Sequence, residues 1–160
     1  MIQAPRLVLR RLRRYGAGIL NHLGCPMNLD IESRGRRLAR LWLLIAVTYL
    51  LVGACFGVYM GATQQFTLVA VHAHINLLGW ASMALAGLIY DRFPQAGGST
   101  LGVVHFWMHN LTLPVLMVLL GLFLSGSAGL GPVVGVVSVV MLLTLVVFAV
   151  NLYTNLKPAA

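Results

Sequence analysis

The chain has 160 residues, of which 59% are hydrophobic and only 9% charged, with a net charge of +8. A soluble domain carries about 25% charged residues. Here the acids number three, Asp30, Glu32 and Asp91, which excludes a water-soluble globular enzyme and leaves an integral membrane protein. The basic excess does not point to nucleic acid: Arg6, Arg10, Arg11, Arg13, Arg14, Arg34, Arg36, Arg37 and Arg40 all precede the first apolar run, without interleaved aromatics. A block so placed is a topology signal, drawn to anionic lipid on the cytoplasmic face.

In chain order, residues 1–40 read as a basic cytoplasmic arm, disordered or lying on the membrane surface, in which His22 is an ordinary surface residue. Met27 is an alternative start, because MNLDIESRGRRLAR is itself an ordinary cytoplasmic lead-in. A spanning helix needs about 20 mostly apolar residues. Four runs qualify, at about 41–60, 66–90, 101–125 and 132–153, and residues 154–160 form a tail. The connections GATQQ, DRFPQAGGST and GSAGLG are short and turn-forming. The expected fold is therefore an all-α membrane protein, with one four-transmembrane-helix bundle over 41–153 whose sequential helices are antiparallel neighbours. Arg92 and Lys157 fall on the same side as the arm, while GATQQ and GSAGLG are uncharged. Both termini are thus expected in the cytoplasm, with the chain in a bacterial-type inner membrane.

Within the first run, Gly53, Gly57 and Gly61 form a repeated small-xxx-small pattern suited to close helix approach, and Cys55 reads as a small packing residue. The third run contains Pro114, expected to bend the helix and free a carbonyl one turn back near Asn110, either shaping a cavity or standing as a merely tolerated membrane proline. In the fourth, Pro132 suits the first helical turn.

Four histidines lie at membrane depth, His72 and His74 on the second run and His105 and His109 on the third, with no acid in any run to pair them. Neutral imidazole needs no counter-charge in lipid and is a common metal ligand, so ligation of haem or metal is the expected role. Residues two apart are rotated by about 200° on a helix, so His72 and His74 face opposite sides and would serve two different sites. His105 and His109, spaced i, i+4, share a face and form a candidate second metal site. His74 enters from the outer side and His109 from the inner, so their rings are offset by about 10 Å or more. One haem ligated by both rings of the same chain is awkward, and a second chain offers a better solution.

The stretch HAHINLLGWASMALAGLIYDRFP resembles the second helix of haem–copper oxidase catalytic subunits, nitric oxide reductases and C-type oxidases above all. His74 with Asn76 matches the axial-ligand position for low-spin haem, and Gly87, Tyr90 and Pro94 match the tail. HFWMHNLTLP is similar to the third helix, so the resemblance covers roughly 40–125. That family has twelve helices in three arcs with pseudo-threefold symmetry, and its further ligands sit on helices six, seven and ten, which have no counterpart here. Its helix ten carries a His-x-His pair facing two metal centres, which His72-Ala73-His74 also resembles. The resemblance thus implies three copies of this chain in a ring, a homotrimer favoured over a dimer. A b-type haem would lie between neighbours, held by His74 of one chain and His72 of the next, with Trp80 and Trp107 packing on the porphyrin. No CxxCH is present to attach it covalently.

Three functions compete at this stage. The first is a membrane cytochrome for electron transfer or for redox or gas sensing, with an unidentified electron donor. The second is an oxygen or nitric oxide reductase, with copper at His105 and His109; the missing intramembrane acids and unmatched copper ligands argue against it. The third is a non-catalytic haem- or copper-handling subunit.

Overall fold

The computed structural model describes residues 26–156, and the structure is built from helices throughout. In chain order these are α1 (Pro26–Thr63), α2 (Val69–Arg92), the short α3 (Pro94–Gly98), α4 (Thr100–Leu124) and α5 (Gly131–Asn155), the last preceded by a 3₁₀ turn at Ala128–Leu130. The four long ones are apolar and long enough to cross a membrane. Their outward faces stay apolar and exposed, as at Leu44, Val58, Leu77, Val118 and Val136, the surface expected where the solvent is lipid.

The arm expected over 1–40 differs where it is described: 26–40 is the first part of α1, which runs 38 residues without a break. At 1.5 Å per residue that is about 57 Å, nearly twice the roughly 30 Å hydrocarbon core, so α1 overhangs the membrane at its basic end. Residues 1–25 and 157–160 of the expected arm and tail lie outside the described residues, His22 among them. The overhang is held by α3. DRFPQAGGST, expected to be a loop, contains this helical turn, with Pro94 at its start and Ala96, Gly97 and Gly98 buried against α1. A side-chain carbon at Gly35 would collide with the Pro94 carbonyl, and one at Gly98 with the Ile31 carbonyl. Two backbones meet here with nothing between them.

The small-residue pattern of α1 is used within the chain, against α2. Gly53 makes room for Asn76 and Gly57 for His72, while Gly61 faces nothing within 4 Å. The approach is reciprocal, because Gly79 on α2 admits Tyr49 and Gly87 admits Leu43 and Trp42. α4 packs along α5 in the same intimate way. The bundle is therefore two tight helix pairs, α1/α2 and α4/α5, which touch each other more sparingly.

Two features of the long helices were not expected. In α2, residues Ile75–Ala81 form a π-helical turn directly after His74, a widening often found at functional positions. In α4, Pro114 sits on the exposed face and the helix continues unbroken through it. The proline there meets lipid rather than shaping a cavity.

Candidate functional site

The two histidines of α2 make different contacts. His72 turns toward α1, its ring 6.3 Å from that of Phe56 and set over Gly57. Asn76 faces the same way: its Nδ2 donates to the His72 carbonyl at 2.9 Å and lies 3.4 Å from each ring nitrogen. His74 points elsewhere, donating from Nδ1 to the Ala70 carbonyl one turn back at 2.7 Å. That bond fixes the neutral tautomer with its proton on Nδ1 and leaves the Nε2 lone pair free. Metal-binding histidines are oriented in this way, one nitrogen donating to a carbonyl and the other presented to the metal.

The histidines of α4 are placed differently. His105 is 2% exposed and His109 1% exposed, deeper than either ring on α2. Trp42 of α1 inserts between the pairs, stacked on His105 at 4.7 Å and edge-on to His109 at 5.2 Å. Phe148 of α5 stacks on the other side of His105 at 4.8 Å. Apolar rings therefore hold both imidazoles in the seam between the helix pairs.

Hydrogen bonds then fix the His105 proton. Asn151 of α5, fully buried, donates Nδ2–H to the Ala96 carbonyl at 3.0 Å and to the Tyr90 hydroxyl at 3.1 Å. The carbonyl can only accept, which sets the amide orientation. Tyr90 thus accepts from Asn151, and its own O–H donates to His105 Nδ1 at 2.9 Å. His105 then carries its proton on Nε2. Behind Asn151, Oδ1 accepts from Asn155 Nδ2 and lies 2.8 Å from the Ser99 hydroxyl, which itself caps α4 by accepting from the Gly102 amide. His109 donates Nε2–H to the Leu78 carbonyl, inside the π turn, at 3.1 Å. Its Nδ1 is buried without a partner, as is the indole nitrogen of Trp42.

The second metal site expected at His105 and His109 does not match this arrangement. The two rings stand at 88° with centroids 5.7 Å apart. One nitrogen of each is bonded to the protein, and the tautomer places a proton on the other nitrogen of His105. Among the described residues, no group of three or more His, Cys, Asp or Glu side chains is placed to hold a metal ion. The offset between helices two and three follows expectation. His74 and His109 bond to carbonyls eight residues apart on α2, Ala70 and Leu78, a separation of about 12 Å along the axis.

Trp80 is partly buried against the core, and Trp107 is 57% exposed on the outer face of α4. Sequence reasoning passed over Trp42 and Asn151. A buried amide inside the apolar run VVFAVNLY was a visible signal, since such a group needs partners in lipid, but the partners lie in distant segments. No family model, curated protein or solved structure matches the chain.

Proposed function

We propose that the chain is a membrane-embedded b-type cytochrome for electron transfer or redox and gas sensing, a minimal unit resembling one arc of the haem–copper oxidases. The observation that carries this reading is the His74 ring, whose tautomer is fixed by the Ala70 carbonyl with Nε2 left free. That nitrogen would be the donor that holds haem iron. Bound haem supplies one-electron redox chemistry; the protein's part is to hold and orient the imidazole and to exclude water by its apolar surroundings. A second imidazole would come from another copy, with His72 the candidate, in a ring of three copies with both termini cytoplasmic. In the single chain the His72 ring packs close against Gly57 of α1, so this arrangement requires that ring to turn outward on assembly. Trp107, exposed on the outer face, and Trp80 are the aromatic surfaces available to pack on a porphyrin.

Oxygen or nitric oxide reduction draws less support. It requires an additional metal centre, and His105 and His109 are engaged with Tyr90 and Leu78. The test is the absorption spectrum of the purified protein with its haem-to-chain ratio. Wild type is expected to show a six-coordinate b-type spectrum indifferent to carbon monoxide. His74→Ala should lose the pigment while His109→Ala, if folded, keeps it. A colourless wild-type protein, reconstituted with haem and still without a ligated spectrum, would overturn the reading.

A further inference from the structure

The overhang of α1 brings three arginines and three lipid-facing aliphatic residues onto one line. At about 100° per residue, Arg36, Arg37, Arg40, Leu44, Val47 and Leu51 all fall within an arc of about 100°. The opposite side of the helix is the packed one, with Gly35, Ala39, Trp42 and Ala46 buried. All six residues of the outward arc, the three arginines included, are exposed, with Leu44, Val47 and Leu51 at 59%, 48% and 62%. The acid nearest to them, Glu32, reaches only Arg36, at 3.6 Å, and leaves that side chain 54% exposed.

From this alignment we propose that the outward face of α1 is a binding site for an anionic phospholipid of the cytoplasmic leaflet. The phosphate sits on Arg36, Arg37 and Arg40, and one acyl chain lies along Leu44, Val47 and Leu51. Guanidinium groups suit the head because they bind phosphate oxygens in pairs and are weakly hydrated. The dimensions also agree. From Arg40 to Leu51 is about 16 Å of helix, close to the roughly 15 Å depth of one leaflet's hydrocarbon. Charge complementarity selects the occupant: a neutral lipid would leave three arginines unpaired in the headgroup layer. An α-helix is also a rigid support, so the three charges keep a fixed spacing that a flexible basic segment would not. The proposal is independent of the haem reading.

The test uses the full chain in bilayers of phosphatidylcholine with a minority of phosphatidylglycerol, followed by gentle extraction and mass measurement of the lipid retained. Wild type is expected to retain phosphatidylglycerol in excess over its bilayer share. Each arginine removed should lower that enrichment about fivefold, the attraction expected of one basic residue at an anionic surface. Arg36→Gln/Arg37→Gln/Arg40→Gln should therefore abolish it, while Arg10→Gln/Arg11→Gln/Arg13→Gln/Arg14→Gln leaves it in place. Enrichment that survives the first variant, or is lost equally in the second, would overturn the proposal. Because removing arginines also weakens the topology signal, Val47→Trp/Leu51→Trp keeps every charge and blocks only the chain track. It should reduce retention too, and unchanged retention there would sink the acyl-chain half of the site.

Discussion

Asn151 carries no charge, yet its amide joins α5 to α2 and α3 and lies within hydrogen-bonding distance of the Ser99 cap of α4. Replacing it with leucine keeps the volume but removes its bonds to the Tyr90 hydroxyl and to the Ala96 carbonyl, which keeps the Ser99 hydroxyl as a donor, at a cost of about 1–3 kcal/mol for the hydrogen bonds lost from a buried cluster. Asn151→Leu is therefore expected to lower the unfolding free energy by that amount, read by circular dichroism in mixed micelles at increasing dodecyl sulfate. Trp42 gives the opposite case. Its ring is fully buried among His105, His109 and Phe106 while its N–H has no partner. Trp42→Phe should cost less than about 1.5 kcal/mol, because ring packing is largely kept and an unpaired donor disappears. Trp42→Ala should cost about 3–5 kcal/mol. The same titration checks both, and equal losses would mean that the indole N–H is the part that matters. The residue scale is also where the sequence was hardest to read. Intramembrane histidines stand out by type, but whether a ring bonds only within its own helix, as His74 does, or is tied into a network across helices, as His105 is, depends on partners 15 to 61 positions away, such as Tyr90 for His105 and Asn151 for Tyr90.

At the scale of elements, the glycines separate helix propensity from packing. A methyl at Gly61 meets nothing within 4 Å, so Gly61→Ala should stabilise by up to about 1 kcal/mol through helix propensity alone. A methyl at Gly79 would lie 2.6 Å from the Tyr49 ring. Overpacking of this kind costs about 1–3 kcal/mol, enough to cancel or exceed the propensity gain. Gly79→Ala is accordingly expected to destabilise, and thermal unfolding of the two variants side by side tests the sign of each. The four spans were legible because about 20 apolar residues between turn-forming segments admit few other structures in lipid. The overhang was not, since basic residues that leave the membrane can continue a helix or fray, and the decision rests on α3 packing against Gly35. α3 itself was hidden inside a turn-like sequence, where Pro94 serves as a helix start rather than a break.

For the whole molecule, the two helix pairs meet through the layer of Trp42, Tyr90, His105, His109 and Phe148 toward the basic end, and through Val69–His74 against α4 toward the uncharged end. Only the outermost turns there part, leaving a cleft of about 480 Å³ lined by Phe56, Tyr59, Leu68 and Leu124 among others. Deuterium exchange should follow this asymmetry: amides of Gln65–Val69 and Ser125–Ala128 are expected to exchange faster than those of Tyr90–Gly102. Equal protection at both ends would show that the outer halves are closed by something else, such as a neighbouring copy. The positive-inside distribution further predicts that green fluorescent protein fused after Ala160 fluoresces in cells, whereas the same domain exported through the inner membrane does not.

The wide turn at Ile75–Ala81 carries a consequence of its own. A π turn takes up about one residue more than the α-helical turn it replaces, so α2 holds a spare residue at mid-membrane. Shortening the chain by one position there, at Leu77, would let the helix relax to an ordinary ladder while Gly57 and Gly87 still meet their partners on either side. The same deletion at Leu85 would rotate everything below it by about 100° and unseat Tyr90. Tolerance of the first and failure of the second would mark α2 as a helix lengthened by insertion, with the surplus spent on giving His109 a carbonyl to hold.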